Sequence, residues 1–137
     1  MTDWEKPVWW RSVKNYKYQT TEDMSITLEH DFEAEGADNF VGIAGGKLFI
    51  EKGYAWDGAS GPTWDDKSTM MASLVHDALY QLLRAGIIHK SRRLDADDEL
   101  VRIAIEDGMW KWRAKMWRRG LKWFGAKSAR RIRKEEG

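Results

Sequence analysis

Residues 68 to 84 read Ser68-Thr69-Met70-Met71-Ala72-Ser73-Leu74-Val75-His76-Asp77-Ala78-Leu79-Tyr80-Gln81-Leu82-Leu83-Arg84. Met70, Met71, Leu74, Val75, Ala78, Leu79, Leu82 and Leu83 cover a wide arc at helical spacing, which marks a buried helix. Ser68 or Thr69 is placed to cap its start, and Gly86 lies just past its end. The polar residues left over, Thr69, Ser73, His76, Asp77, Tyr80 and Arg84, recur every three or four positions and form a single stripe. The plainer reading is that this stripe faces water. The sharper one is a polar site carried on an otherwise apolar helix.

The following stretch sharpens that choice. A second helix is expected from a cap at Ser91 to about Asp107, with Gly108 stopping it. At 100° per residue Leu94, Leu100, Val101, Ala104 and Ile105 define an arc centred close to Asp97, whereas Asp95, Glu99, Arg102 and Glu106 are expected on the solvated side. An inward carboxylate requires a hydrogen-bonded or charged partner, because burying it alone costs several kcal/mol. His76 is the nearest candidate, with the Tyr80 hydroxyl one turn further on; a structural Asp bracing a loop is the alternative. A third helix is expected over about Met109 to Phe124, ending at Gly125.

Upstream, Tyr16 to Gln19, Ser25 to Glu29, Phe40 to Ala44 and Lys47 to Glu51 alternate in part, and Gly45-Gly46 suits a two-residue hairpin turn. The fold class expected is α+β: a small antiparallel β-meander in residues 1 to 53, a three-helix core in 54 to 125, and a basic tail in 126 to 137. A chain of 137 residues supports one ordinary core, so a single domain is expected.

With no Cys, neither disulfides nor thiolate metal sites are available. The first residues lack a secretory pattern, and no stretch approaches the roughly 18 apolar residues of a membrane span, so a cytoplasmic product is expected. The net charge of +1 conceals an asymmetry: from Lys111 onward there are 11 Lys or Arg against two Glu, and before it 12 basic against 20 acidic residues. Such a division points to an anionic partner for the basic end, or to that end docking on the acidic body.

Between the strands and the helices, Tyr54-Ala55-Trp56-Asp57-Gly58-Ala59-Ser60-Gly61-Pro62 reads as a loop. Beside Asp77 it can offer Asp57 and backbone carbonyls, the oxygen ligands that a hard cation such as calcium takes.

The ordered blocks Asp57-Gly58-Ala59-Ser60, His76-Asp77-Ala78-Leu79-Tyr80, Ser91-Arg92 with Asp97-Asp98-Glu99-Leu100, and Lys122-Trp123-Phe124-Gly125 resemble the small phage and prophage proteins grouped as domain of unknown function 1353. That resemblance spans about half of the chain and implies a phage or prophage protein, cytoplasmic in the infected host or virion-associated. More distantly, the same blocks resemble the secreted bacterial phospholipases A2. The second resemblance implies a phospholipase A2-like helical core with His76 as general base, Asp97 as its orienting partner, Tyr80 as a brace, and Asp77, Asp57 and the Gly58 loop as calcium ligands. This sequence departs from those enzymes in lacking Cys, in lacking a secretory leader pattern, in carrying Leu100 where they carry Phe, and in residues 1 to 53. A non-catalytic virion component or host-takeover adaptor that keeps the core for stability is the alternative.

On the third helix, Trp110, Ala114, Trp117, Leu121 and Phe124 form an apolar stripe expected to enter the core. Lys111, Lys115, Arg118 and Lys122 form a basic stripe, and Met109, Trp112, Met116 and Trp123 form a second apolar one. Trp mixed with Lys and Arg suits an anionic phospholipid surface. A nucleic-acid backbone, a phage or host protein, and packing of the second stripe on the β-meander are the alternatives. His30 and His89 lie on no motif block and are expected outside the site.

Overall fold

The computed structural model describes residues 9–12, 18–58 and 66–121. Antiparallel strands come first and three helices follow, an α+β arrangement. The strands are β1 (Trp10–Ser12), β2 (Tyr18–Thr20), β3 (Met24–Thr27), β4 (Gly36–Asp38), β5 (Val41–Ala44), β6 (Lys47–Ile50) and β7 (Ala55–Trp56). The helices are α1 (Lys67–Arg84), α2 (Arg93–Glu106), which is preceded by a 3₁₀ turn over Lys90–Arg92, and α3, described over 111–121.

The strands form two sheets rather than one meander: β1-β2-β7, and β3-β6-β5-β4. Only β4, β5 and β6 follow one another as a meander, and β3 returns on the far side of β6. The turn expected at Gly45-Gly46 joins β5 to β6 with Ala44 opposite Lys47, and both glycines have positive φ, 56° and 75°. A two-residue turn that matches the twist of its strands needs that conformation. Along β5 and β6, Val41, Ile43, Leu48 and Ile50 point inward in strict alternation. β1, β4 and β7 are two or three residues long, too short for the period-2 pattern to register, and Tyr16 and Lys17 lie outside the described residues.

Helix α1 starts two or three residues earlier than a cap at Ser68 or Thr69 implies. Its cap is Asp66, whose carboxylate accepts from the Ser68 N–H at 2.9 Å while Thr69 Oγ1 accepts from the Asp66 N–H at 2.8 Å, a reciprocal capping box. It ends as expected, with the Gly86 and Ile87 N–H groups donating to the Leu83 and Leu82 carbonyls. Ser91 does not cap α2. The His89 ring instead accepts from the Ser91 N–H at 3.1 Å and closes the 3₁₀ turn, and α2 itself has no side-chain cap.

The core lies between α1, α2 and the inner faces of the strands. Leu74, Leu79 and Leu82 are fully buried, each contributing about 1.5–3 kcal/mol by removal from water. α1 packs across β4 and β5, where the Gln81 amide donates to the Asp38 and Asn39 carbonyls at 2.7 and 2.9 Å. α3 closes the other side through buried Ala114, Trp117 and Leu121. Its Arg113 forms an ion pair with Asp66, tying the third helix to the start of the first.

Candidate functional site

The polar stripe of α1 faces the interior. Thr69, Ser73, His76 and Tyr80 are all buried, Asp77 is half-buried, and only Arg84 is exposed. A helix that buries its polar stripe must supply partners for it. Ser73 Oγ accepts from the Trp56 indole N–H at 3.0 Å and donates to the Met70 carbonyl. Trp56 is itself buried, sits in β7 against Tyr18 of β2, and stacks on Trp9 at 5.7 Å. This indole therefore fastens the residue before Asp57 to α1 one turn ahead of His76. Nothing in the sequence pattern singled out Trp56, because its role depends on a hydrogen bond across the fold.

His76 and Asp97 meet at the α1–α2 contact. His76 Nε2 lies 2.7 Å from Asp97 Oδ1, and the Tyr80 hydroxyl donates to the same oxygen at 2.9 Å. Asp97 is fully buried, in the phase that the helical arc assigns it. A carboxylate only accepts, so Nε2 is the donor of this pair and Nδ1 is turned away from Asp97. Nδ1 takes no hydrogen bond among the described residues. The imidazole and phenol rings lie 4.2 Å apart, which fixes the plane of His76. Burial, and then the charge of Asp97, push the Tyr80 phenol well above its ordinary range, so it remains an O–H donor at neutral pH.

The other Asp97 oxygen, Oδ2, is buried without a hydrogen bond, as is Arg93 Nη1, 3.8 Å away and one turn back on α2. Arg93 thus balances the Asp97 charge from the side of Oδ2, away from the oxygen that His76 meets. Its spacing of four from Asp97 is the signal that could have identified it.

Asp77 and Asp57 form the second part of the site. Asp57 is exposed, while Gly58 is buried with φ of 83°. Burial raises the Asp77 carboxyl to about 6; neighbouring His76 and Arg84 pull it down and Asp57 pushes it up. Tyr54, further along, is pushed up by burial and then by Asp77. Asp77 takes no hydrogen bond among the described residues. Two carboxylates that repel one another, one of them half-buried and without a donor, fit an oxygen-ligated cation. Ala59 and Ser60 of the same block lie outside the described residues.

Several expectations change with the fold. Glu99, placed on the solvated side, is fully buried, because α2 is covered on a second flank by the segment after β3. There Glu99 Oε1 accepts from the Glu29 and His30 N–H groups and Oε2 from Arg102. Burial works against its charge, but the His30 N–H and Arg102 outweigh it and hold the carboxyl below its usual range. Leu94, expected inside, is exposed. His30 and His89 stay clear of His76 and Asp97, His89 serving the 3₁₀ turn.

α3 also differs from its two-stripe reading. Ala114, Trp117 and Leu121 are buried, but Trp110 is 70% exposed; Met109 is buried while Trp112 and Met116 are 53% and 49% exposed. Helix α3 begins one residue after Trp110, and the chain's entry angle turns Met109 inward and Trp110 out. The outer face then carries Trp110, Trp112 and Met116 beside exposed Lys111 and Lys115, rather than packing on the strands. Arg118 is engaged by Asp98. Lys122, Trp123 and Phe124 lie outside the described residues, and among the described residues no helix is long and apolar enough to cross a membrane. No protein-family model, curated protein or solved structure matches this chain.

Proposed function

We propose that this chain is a phage or prophage protein with a phospholipase A2-like site that hydrolyses a phospholipid or related ester in a calcium-dependent reaction. The observation that carries the reading is the His76–Asp97 hydrogen bond of 2.7 Å, buried and braced by Tyr80, with the opposite ring nitrogen turned away from the carboxylate. A base held by an orienting carboxylate is the arrangement that proton abstraction from water requires. His76 Nδ1 takes the proton as the water oxygen bonds to the ester carbonyl carbon. Asp97 stabilises the imidazolium that results. As the carbon–oxygen bond to the leaving alcohol breaks, the same nitrogen returns the proton to that alcohol. No side-chain nucleophile takes part. Asp77, Asp57 and the Gly58 carbonyl are the groups that would hold calcium, whose chemistry there is neutralisation of carbonyl and phosphate negative charge.

The exposed Trp110, Trp112 and Met116 with Lys111 and Lys115 support an anionic phospholipid surface as the place of action, since indoles favour the headgroup level and cations the anionic lipid. A nucleic-acid partner would leave the buried His76–Asp97 pair without a role. One observation favours the alternative, a non-catalytic phage component or adaptor: the His76 side chain is only 6% exposed, as a packing residue would be.

The test is release of fatty acid from mixed phospholipid vesicles with and without millimolar calcium. Activity that needs calcium and vanishes in His76→Ala supports the enzyme. A folded wild type with no activity on any ester, and no calcium-dependent change in melting temperature, leaves the adaptor.

A further inference from the structure

Away from His76, the segment after β3 faces the first turns of α2 and places one imidazole among three carboxylates. His30 Nε2 is 3.6 Å from Asp98 Oδ2 and 3.8 Å from Asp95 Oδ1, and His30 Nδ1 is 3.3 Å from Glu99 Oε1. His30, Asp95 and Asp98 each offer one ligand atom within 4.8 Å of the others. We propose that these three residues form a zinc-class divalent metal site, separate from the site at His76.

The first ground is the orientation of the ring. Glu99 is fully buried and its Oε1 is fixed by the Glu29 and His30 N–H groups, so it can only accept from His30. Glu99 therefore takes the Nδ1 side of the ring, which leaves Nε2 facing Asp95 and Asp98. Two carboxylate oxygens gathered around one ring nitrogen call for a positive centre between them. At 3.6 and 3.8 Å both carboxylate oxygens lie beyond direct hydrogen-bond reach of Nε2.

The second ground is spacing. Zinc bonds to nitrogen and oxygen run about 2.0–2.2 Å, and the corners of a tetrahedron of that size lie roughly 3.3–3.6 Å apart. The two measured separations sit within a few tenths of an ångström of that edge.

The third ground is that every proposed ligand has an outer partner. Arg92 Nε holds Asp95 Oδ2 at 2.6 Å, leaving Oδ1 for His30, and Arg118 holds Asp98 Oδ1, leaving Oδ2. Glu99 holds the His30 ring. Ligands held from behind by hydrogen bonds or ion pairs, with a carboxylate behind the histidine, characterise metal centres. One imidazole with two carboxylates suits zinc better than calcium or magnesium, which take oxygen alone. His30, Asp95 and Asp98 are each about 30% exposed, so an ion reaches them from solvent and a fourth position stays open to water.

The test is calorimetric titration of zinc into the chelator-treated full chain. The expected result is saturable binding of one zinc at this site, weakened at least tenfold in His30→Ala and in Asp98→Asn and unchanged in His76→Ala, His89→Ala and Asp77→Asn. No saturable binding, or equal affinity in His30→Ala, overturns the proposal. Should the variants fail to fold, long-range nitrogen–proton spectra of the wild-type imidazoles decide: zinc should move the His30 Nε2 resonance while Nδ1 keeps its proton. Zinc that binds without moving that resonance overturns the proposal as well.

Discussion

Replacing Asp77 with Asn keeps the shape of the side chain and removes its charge. In the folded chain burial, His76, Arg84 and Asp57 together place the Asp77 carboxyl at about 6, against 3.8 for the group in isolation. At roughly 1.4 kcal/mol per pH unit, that displacement amounts to about 3 kcal/mol, a ceiling for a half-buried group. The folded state holds the proton to higher pH than the unfolded state, so it binds more protons between about pH 4 and pH 6. The unfolding free energy must fall as pH rises through that window. Asp77→Asn has nothing to ionise there, so its stability relative to the wild type should grow by up to about 3 kcal/mol between pH 4 and pH 7.5. Urea unfolding followed by fluorescence of the nine Trp residues measures this. Calcium should close most of that gap at pH 7.5: a ligand at 100 times its dissociation constant stabilises the wild type by about 2.7 kcal/mol and leaves the variant where it was. A gap between the two proteins that stays constant from pH 4 to 7.5 would refute the assignment of a strained charge to Asp77. Equal stabilisation of both by calcium would remove Asp77 from the ligand set.

Asp97→Ala leaves the His76 N–H and the Tyr80 hydroxyl buried without their acceptor; it should abolish ester hydrolysis and cost about 3 kcal/mol in urea unfolding. Glu99→Ala strips the Glu29 and His30 N–H groups and Arg102 of their shared acceptor, and a loss of about 3 kcal/mol is expected, against well under 1 kcal/mol for the neighbouring exposed Leu94→Ala. Vesicles containing anionic lipid should bind the protein more tightly than neutral ones in a sedimentation assay. Lys111→Gln with Lys115→Gln should weaken that binding roughly thirtyfold at low salt, at about 1 kcal/mol per cation, whereas Trp112→Ala should weaken binding to both kinds of vesicle.

The helical half was legible because its signals are local. The period of α1 and α2, the Gly86 and Gly108 stops and the inward phase of Asp97 all follow from residues within four positions of one another. The His76–Asp97–Tyr80 group could be read for the same reason, since two helical phases fix three side chains. What escaped depends on contacts distant in sequence. Asp66, the actual cap of α1, is held by Arg113 from 47 positions further along the chain. Glu99 matches every rule for a solvated residue except that two backbone N–H groups some seventy positions earlier require an acceptor. Trp110 and Met109 exchanged sides because the residues before a helix do not obey its period. The strands of two and three residues in the first sheet are set by pairing partners, and a strand that short has no pattern of its own.

The pairing of β7 with β2 has a kinetic consequence. These neighbours in one sheet are separated in the chain by the whole of the other, since Tyr18 lies opposite Trp56 while β3 to β6 occur between them. The β5–β6 hairpin closes over two residues and can form within microseconds, but the β2–β7 pair must wait for a long loop to shut and carries a larger entropic penalty. The second sheet would then act as the nucleus that brings Thr20 and Tyr54 within reach, and the strand that leads into Asp57 would zip last. Weakening β5 or β6 should slow refolding, whereas weakening β7 should mainly hasten unfolding. The Asp57 loop would then be the part of the candidate site to form latest, and the first to open in transient excursions from the native state.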